Sequence, residues 1–369
     1  MMKRITVGFP RMLKEAGERR AFLPSFIQKT AQYAEAYLAE GYGSRMGFSF
    51  DDYCQGSSHV HEVERKEAFQ KDVVIILRAP NEHEYEWMRP GSCLVSMLHY
   101  STRPARVQKL RALGINAISL DSIIDDYNLR LVENMRAVAW NGLEAAFGVL
   151  QKKWPDLLRD PEEPFKVVVL GTGMVGKHAV EAATKLGNVE WNSRHIELGG
   201  PGALAVSVGR NLSTDAGQME KIFKDADVLV DAAQRRDPAK AIVPNDWIRW
   251  LPEHCVIVDL AVDPYLLDHT PPVVRGIEGI PQGDLNQYTF HPEDPKWDET
   301  VPAQIPSKHR RVTVSCYSWP GVHPEACMEI YGRQLEPLVK TLLTCPYKDL
   351  SLSGDFFERA LARAKLPEV

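Results

Sequence analysis

The chain has 369 residues, 44% hydrophobic and 25% charged, with a formal net charge of -5. At roughly 100–200 residues per domain this length points to two domains, and charges of both signs without a long basic block argue against nucleic acid as a partner. No apolar stretch approaches the ~20 residues needed to cross a bilayer, and the N-terminal sequence lacks the apolar core of a secretory signal. Six scattered cysteines, none in a CxxC pair, read as reduced thiols of a cytoplasmic protein.

The first half alternates strand-like and helix-like segments. Residues 3–9 (KRITVGF) form a short β run, and residues 25–40 (SFIQKTAQYAEAYLAE) have helical periodicity. Residues 72–78, 92–100 and 115–120 are short apolar runs bounded by turn residues, as in buried parallel strands. Between them, residues 103–114 read as a helix ending at Gly114. The sequence HVH at 59–61, near Cys54, matches no zinc spacing and reads as a polar loop, so no metal is expected.

Residues 133–153 read as one long helix. The stretch after it, WPDLLRDPEEPF (154–165), holds three prolines and a cluster of charges, and reads as a junction. A second βα series follows, with strands at 166–171, 203–208, 227–233 and 254–263. The stretch from about 279 to 311 is polar and rich in proline, a long loop of the kind that is functional or an oligomer contact. Residues 324–343 form a last amphipathic helix. With the long helix taken into the second half, the expected domains are 1–134 plus 323–369, and 135–322.

In VVVLGTGMVGKHAVEAATKLG, Gly171, Gly173 and Gly176 form G-x-G-x-x-G between a strand and a helix. The first glycine permits the tight turn, the second lets the backbone approach a pyrophosphate, and the third lets helix and strand pack closely. The backbone of Gly171, Gly173, Met174, Val175 and Gly176 would hold the phosphates at the helix N-terminus. The usual ribose-binding acid, about 20 residues on, is missing. Residues 188–202 read as an insertion, and Arg210, after the strand ALAVSV, is the candidate for the adenosine ribose. An arginine there can pair with a 2′-phosphate, which favours NADP(H) over NAD(H). The alternative is a solvated Arg210, with Glu197 on the ribose.

Five separated motifs carry a resemblance: GERRAFLPSFI (17–27), GYGSRMGFSFDDY (41–53), DVVIILRAPNEHEYEWMRPGSCLVSMLHY (72–100), VIVDLAVD (256–263) and the glycine loop. In this order they resemble the family of alanine dehydrogenase and nicotinamide nucleotide transhydrogenase, with saccharopine dehydrogenase and carboxyethyl-ornithine synthase as relatives. The resemblance implies an α/β fold of two Rossmann-like domains with a cleft between them, the C-terminal helix returning to the first, substrate-binding domain. It places the family's carboxylate-gripping arginine on Arg20, its third-motif lysine on Arg78, its histidine on His99 and its aspartate on Asp263. Chemistry supports these roles: an arginine can grip a carboxylate bidentately, and a histidine handles protons near neutral pH. From composition alone, Arg20 could equally be a surface residue, His99 a core histidine and Asp263 a turn former.

Two departures matter. Arg78 replaces a lysine, and an arginine cannot act as a base; proton handling then falls to His99, and two arginines suit a substrate with a second carboxylate. The C-terminal motif reads CYSWPGVHPEACMEIYG in place of an asparagine-containing NMP segment, so Trp319 and His323 stand as pocket or packing residues. The expected activity is an NAD(P)-dependent amino-acid dehydrogenase, a homo-oligomer acting on a small 2-amino or 2-oxo acid. The alternative is opine-type or saccharopine-type condensation of a 2-oxo acid with an amino acid. A reading of another class is a transhydrogenase-like or sensor protein that binds the nucleotide without a substrate of its own.

Overall fold

The structure, a computed structural model, describes residues 4–367. It divides into two compact units, Met1–Asn134 with His323–Val369, and Met135–Val322. The first contains six strands: β1 (Thr6–Phe9), β2 (Glu35–Ala39), β3 (Val60–Val63), β4 (Val73–Arg78), β5 (Cys93–Met97) and β6 (Asn116–Ser119). They pair in parallel in the order β3-β2-β1-β4-β5-β6. β4 is buried along five of its six residues, as a strand covered on both faces must be. On one face, Phe9, Phe22 and Phe26 form a core with Met328, Leu335 and Leu342 of the helix Pro324–Thr344. The strand order reverses between β1 and β4, and open α/β sheets bind ligands beyond the carboxyl ends of strands at such a point.

The second unit holds β7 (Phe165–Leu170), β8 (Ala203–Val208), β9 (Val228–Asp231), β10 (Val256–Asp259), β11 (Thr289–Phe290) and β12 (Thr313–Ser315). Their order is β11-β12-β10-β9-β7-β8, parallel throughout except for β11 against β12. The helix Met135–Lys153 lays Ala139, Leu143, Phe147 and Leu150 against Val167, Val169, Val230 and Val258 on one face. Met219 and Phe223 cover Val168, Leu170 and Leu229 on the other. No helix among the described residues is long and apolar enough to cross a membrane.

Four local expectations change. The helical run at 25–40 is a helix only over Pro24–Ala31; its second half is β2, because Ala36 and Leu38 alternate into the core and pair with β1. The HVH stretch is not a polar loop: His61 lies in β3, and both His59 and His61 bond Glu35 at 2.8 Å. Residues 154–165 are no boundary: Leu157 is buried in the second unit's core, and Trp154 meets Phe165 edge-on at 5.8 Å. The polar stretch 279–311 is ordered around its own small core, in which buried Trp297, Phe290 and Val301 meet and the Trp297 indole N–H donates to the Gly279 carbonyl at 2.9 Å.

Candidate functional site

In the second unit the glycine loop opens directly from β7, where the strand order reverses between β7 and β9. Gly171 has φ +103°, and a Cβ there would stand 2.6 Å from the Ala232 carbonyl oxygen. A Cβ at Gly176 would stand 2.2 Å from the Gly171 carbonyl oxygen. Both positions therefore exclude a side chain for internal reasons. Gly173 differs: a Cβ there would meet nothing within 4 Å among the described residues. Gly173 is the N-cap of the helix Met174–Ala183 and offers it no side-chain cap. Met174 is more than half exposed, while Val175 leans onto the core. An uncrowded glycine at a helix N-terminus fits a dinucleotide diphosphate.

β8 lies beside β7, and the Gly171 N–H donates to the Val208 carbonyl at 3.0 Å. Residues 188–202 contain the helix Val189–Glu197 and no strand. Arg210 follows β8, exposed, with Nη2 on the Gln234 carbonyl at 3.1 Å. Residues 209–211, just past β8, contain no acid.

Asp263, beyond β10, pairs with Arg235 Nη2 at 2.7 Å. Arg235 also donates to the carbonyls of Pro238 and Lys240 at 3.0 Å and to that of Val274. Asp263 is thus held in a latch that ties the segment after β9 to the one after β10. Trp319 is core: it is 1% exposed, its indole N–H donates to the Asp259 carbonyl at 2.8 Å, and its ring meets Tyr288 edge-on. His323 is an exposed residue at the start of the C-terminal helix.

In the first unit, Arg78 closes β4, while Arg20 and His99 lie beyond the carboxyl ends of β1 and β5. Arg20 is buried and grips Glu18 bidentately, Nε to Oε1 at 2.9 Å and Nη2 to Oε2 at 2.5 Å. Burial opposes both charges, but the mutual hydrogen bonds and attraction prevail, holding the Glu18 carboxyl below the usual range and the guanidinium charged. Arg78 pairs with Glu15, through Nε at 2.9 Å and through Nη2. Arg20 and Arg78 both act electrostatically on Glu18 and on Tyr331 of the C-terminal helix. The structure therefore brings the two arginines to one place, each with its own glutamate. Arg20 also lines a small cavity with Arg11, Arg19 and Arg45.

His99 has a left-handed backbone, φ +51°, uncommon for a residue with a side chain and a sign of an over-determined position. Its Nδ1 lies 3.3 Å from Asp121 Oδ2. Asp121 Oδ1 accepts from the backbone N–H groups of Leu98 and His99 at 3.1 Å and from the Ser119 hydroxyl at 2.7 Å. Burial works to raise the Asp121 pKa, but the hydrogen bond and charge of His99 and the Ser119 hydroxyl outweigh it and hold the carboxyl well below its ordinary range. The carboxylate that orients His99 is therefore Asp121, and Asp263 holds Arg235.

Sequence reasoning missed Asp121, Glu15 and Glu18 as partners. The signals were available: Glu18 stands two residues before Arg20, and Asp121 closes the apolar run INAISLD. The repeated strand ends VLVD and VIVD also marked Asp231 and Asp259, both fully buried at the sheet's carboxyl edge.

Residues 8–139 match the family described as Alanine dehydrogenase/PNT, N-terminal domain, and residues 160–264 match Alanine dehydrogenase/PNT, C-terminal domain. The chain is 23% identical over 278 residues to an alanine dehydrogenase of Bacillus subtilis, covering 70% of each. It is 24% identical over 279 residues to alanine dehydrogenase 2 of Staphylococcus aureus, covering 70% of this chain and 72% of the relative. Among solved structures, an L-alanine dehydrogenase superposes with a TM-score of 0.71 at 22% identity, covering 98% of this chain and 94% of the other. A transhydrogenase from Sinorhizobium meliloti superposes with a TM-score of 0.65 at 15% identity, covering 96% and 97%. With both domains of one family matched in order over more than half of its length, the chain belongs to the alanine dehydrogenase/PNT family and is a nicotinamide-dependent oxidoreductase.

Proposed function

We propose that this protein is an amino-acid dehydrogenase that interconverts a 2-amino acid and its 2-oxo acid. The observation that carries this reading is the His99–Asp121 pair at the end of β5, a proton-handling group fixed by a partly buried carboxylate. The nicotinamide, when bound, supplies or accepts the hydride. With Nδ1 turned to Asp121, His99 presents Nε2 to the proton that the reacting nitrogen or oxygen gains or loses. Arg20 binds the substrate carboxylate by exchanging it for that of Glu18, which already occupies its fork. Arg78 binds or polarises and takes no part as a base. Asp263, with Arg235, holds the segments beyond β9 and β10 in place.

NADP(H) is preferred over NAD(H). Arg210 supports this, since it brings a positive charge to the end of β8 where the ribose-binding acid is missing. A homo-oligomer is proposed as well, supported by the apolar side chains of Val189, Ile196 and Leu204 exposed on the second unit; a monomer mass by light scattering would end it.

A second reading, condensation of a 2-oxo acid with an amino acid, is favoured by Arg78 standing near Arg20. Such a product carries more than one carboxylate. The deciding experiment follows NADPH and NADH oxidation with a panel of 2-oxo acids, offered with ammonia, with amino acids or with no amine. Turnover with ammonia supports the dehydrogenase. Turnover only with an amino acid moves the function to condensation. Tight dinucleotide binding with no turnover on any pair leaves a nucleotide-binding protein without its own substrate.

A further inference from the structure

Asp231 closes β9 and Asp259 closes β10, and the parallel register sets them directly side by side. Both are buried, 0% and 2% exposed. Register neighbours on adjacent strands share a face, and like charges so placed repel. Asp259 is well served. Its Oδ1 accepts from the Val262 N–H at 2.8 Å, and its Oδ2 accepts from the Ser315 hydroxyl at 3.1 Å and from Arg275.

Asp231 is served on one side only. Its Oδ1 accepts from the Ala233 N–H at 3.1 Å, and its Oδ2 is a buried atom with no hydrogen-bond partner. A Cβ at Gly276 would stand 2.0 Å from that oxygen, so the backbone at 276 closes over the acid. The charged groups acting on it are Asp259, Asp263 and Arg235. Arg235 is taken by Asp263 and three carbonyls, while Arg275, next to Gly276, turns its Nη1 to Asp259 and Ser315 and donates no hydrogen bond to Asp231. Two adjacent buried carboxyls, one paired with Arg275 and the other facing only an Arg235 held by Asp263, do not both ionise readily. Burial first, then the Asp259 charge, push the Asp231 pKa up to about 7.

This acid stands behind the glycine loop. Ala232, its chain neighbour, donates its N–H to the Leu170 carbonyl at 2.9 Å and turns its own carbonyl onto the Gly171 Cα face. The Asp231 carboxyl holds the next N–H, that of Ala233. The turn that backs the first glycine is therefore built on Asp231.

We propose that Asp231 is a positioning residue that carries a proton when this unit binds its dinucleotide, so that binding of the diphosphate is linked to protonation of a buried strand-end acid. This rests on the nicotinamide-cofactor reading. Loss of the proton sets a second negative charge against the turn behind the phosphate loop, and the anionic diphosphate then binds less well.

The test measures NADH binding by nicotinamide fluorescence from pH 6 to 9, with wild type and Asp231→Asn. NADH is chosen because its diphosphate does not titrate in this range, whereas the 2′-phosphate of NADPH does near pH 6. Wild-type affinity should fall about fivefold or more across the range, while the Asn variant, an uncharged mimic of the acid, should give a flat profile. Parallel profiles, or a flat wild-type profile, would overturn the inference. Calorimetry of the wild type in two buffers of different ionisation heat supplies a check that needs no variant. Net proton uptake on binding near pH 7 supports the linkage, and none overturns it. If neither NADH nor NADPH binds the folded wild type at any pH, the cofactor reading itself fails; binding without proton linkage removes only this inference.

Discussion

At the scale of single residues, charge pairing decides what each candidate can do. Arg20 and Arg78 are both occupied by glutamates of the β1 loop, so any carboxylate that binds either arginine must compete with an internal one. Glu18→Gln leaves Arg20 buried without its counter-charge and should cost about 3 kcal/mol of stability, read as a lowered denaturation midpoint. His99→Ala should reduce turnover about 10²–10⁴-fold while dinucleotide affinity stays at the wild-type value; unchanged turnover would remove His99 from the chemistry. Arg210→Gln should lower the preference for NADPH over NADH by about 1.5–3 kcal/mol, the worth of a hydrogen bond to a charged group, measured as the ratio of the two dissociation constants. His99 and Asp263 were legible in the sequence as strand-end residues. Their partners were not, because Asp121 is 22 residues from His99 and Arg235 is 28 from Asp263, and nothing local selects among the many acids and bases at such separations.

At the scale of elements, the glycine loop separates two kinds of constraint. Gly176→Ala drives a Cβ into the Gly171 carbonyl and should destabilise the unit. Gly173→Ala meets no protein atom within 4 Å, so it should fold as the wild type does, within about 0.5 kcal/mol. It should still weaken dinucleotide binding by about 1–3 kcal/mol through crowding. Equal binding by this variant would mean that nothing approaches the loop at that glycine. The stretch 279–311 teaches a different lesson. Its prolines and charges read as a loop, but Trp297, Phe290 and Val301 supply enough apolar surface for a satellite core. Trp297→Ala should cost about 3–5 kcal/mol, visible in thermal unfolding. The period of residues 25–40 misled for a related reason. Over so short a run, the helical and alternating patterns share most of their apolar positions, and pairing with β1 settles the second half as a strand.

At the scale of the whole chain, buried and partly buried carboxyls give the stability profile two opposed slopes. Glu18, Asp121 and Asp227 have depressed pKa values. Their contribution is present above the unfolded carboxylate range and is lost as pH falls through their folded values. Asp231 acts in the opposite sense. Its pKa rises from 3.8 to about 7 on folding, so its contribution is full below the unfolded value and is lost as pH climbs through the folded one. Asp231→Asn should therefore gain stability relative to wild type as pH rises from 4 to 7, measured by urea unfolding; a constant difference would contradict the burial argument.

The sequence by itself determined the alternation of strand and helix, the strand–glycine–helix unit at 167–187 and the order of the five family motifs, because each rests on spacing within a short stretch of chain. Only the tertiary structure decided that Asp121 serves His99, that Glu18 fills Arg20 and that Asp231 lies beside Asp259. Those contacts arise where parallel strands bring residues far apart in the chain to one edge of a sheet, and strand order and register are fixed by the packing of whole layers.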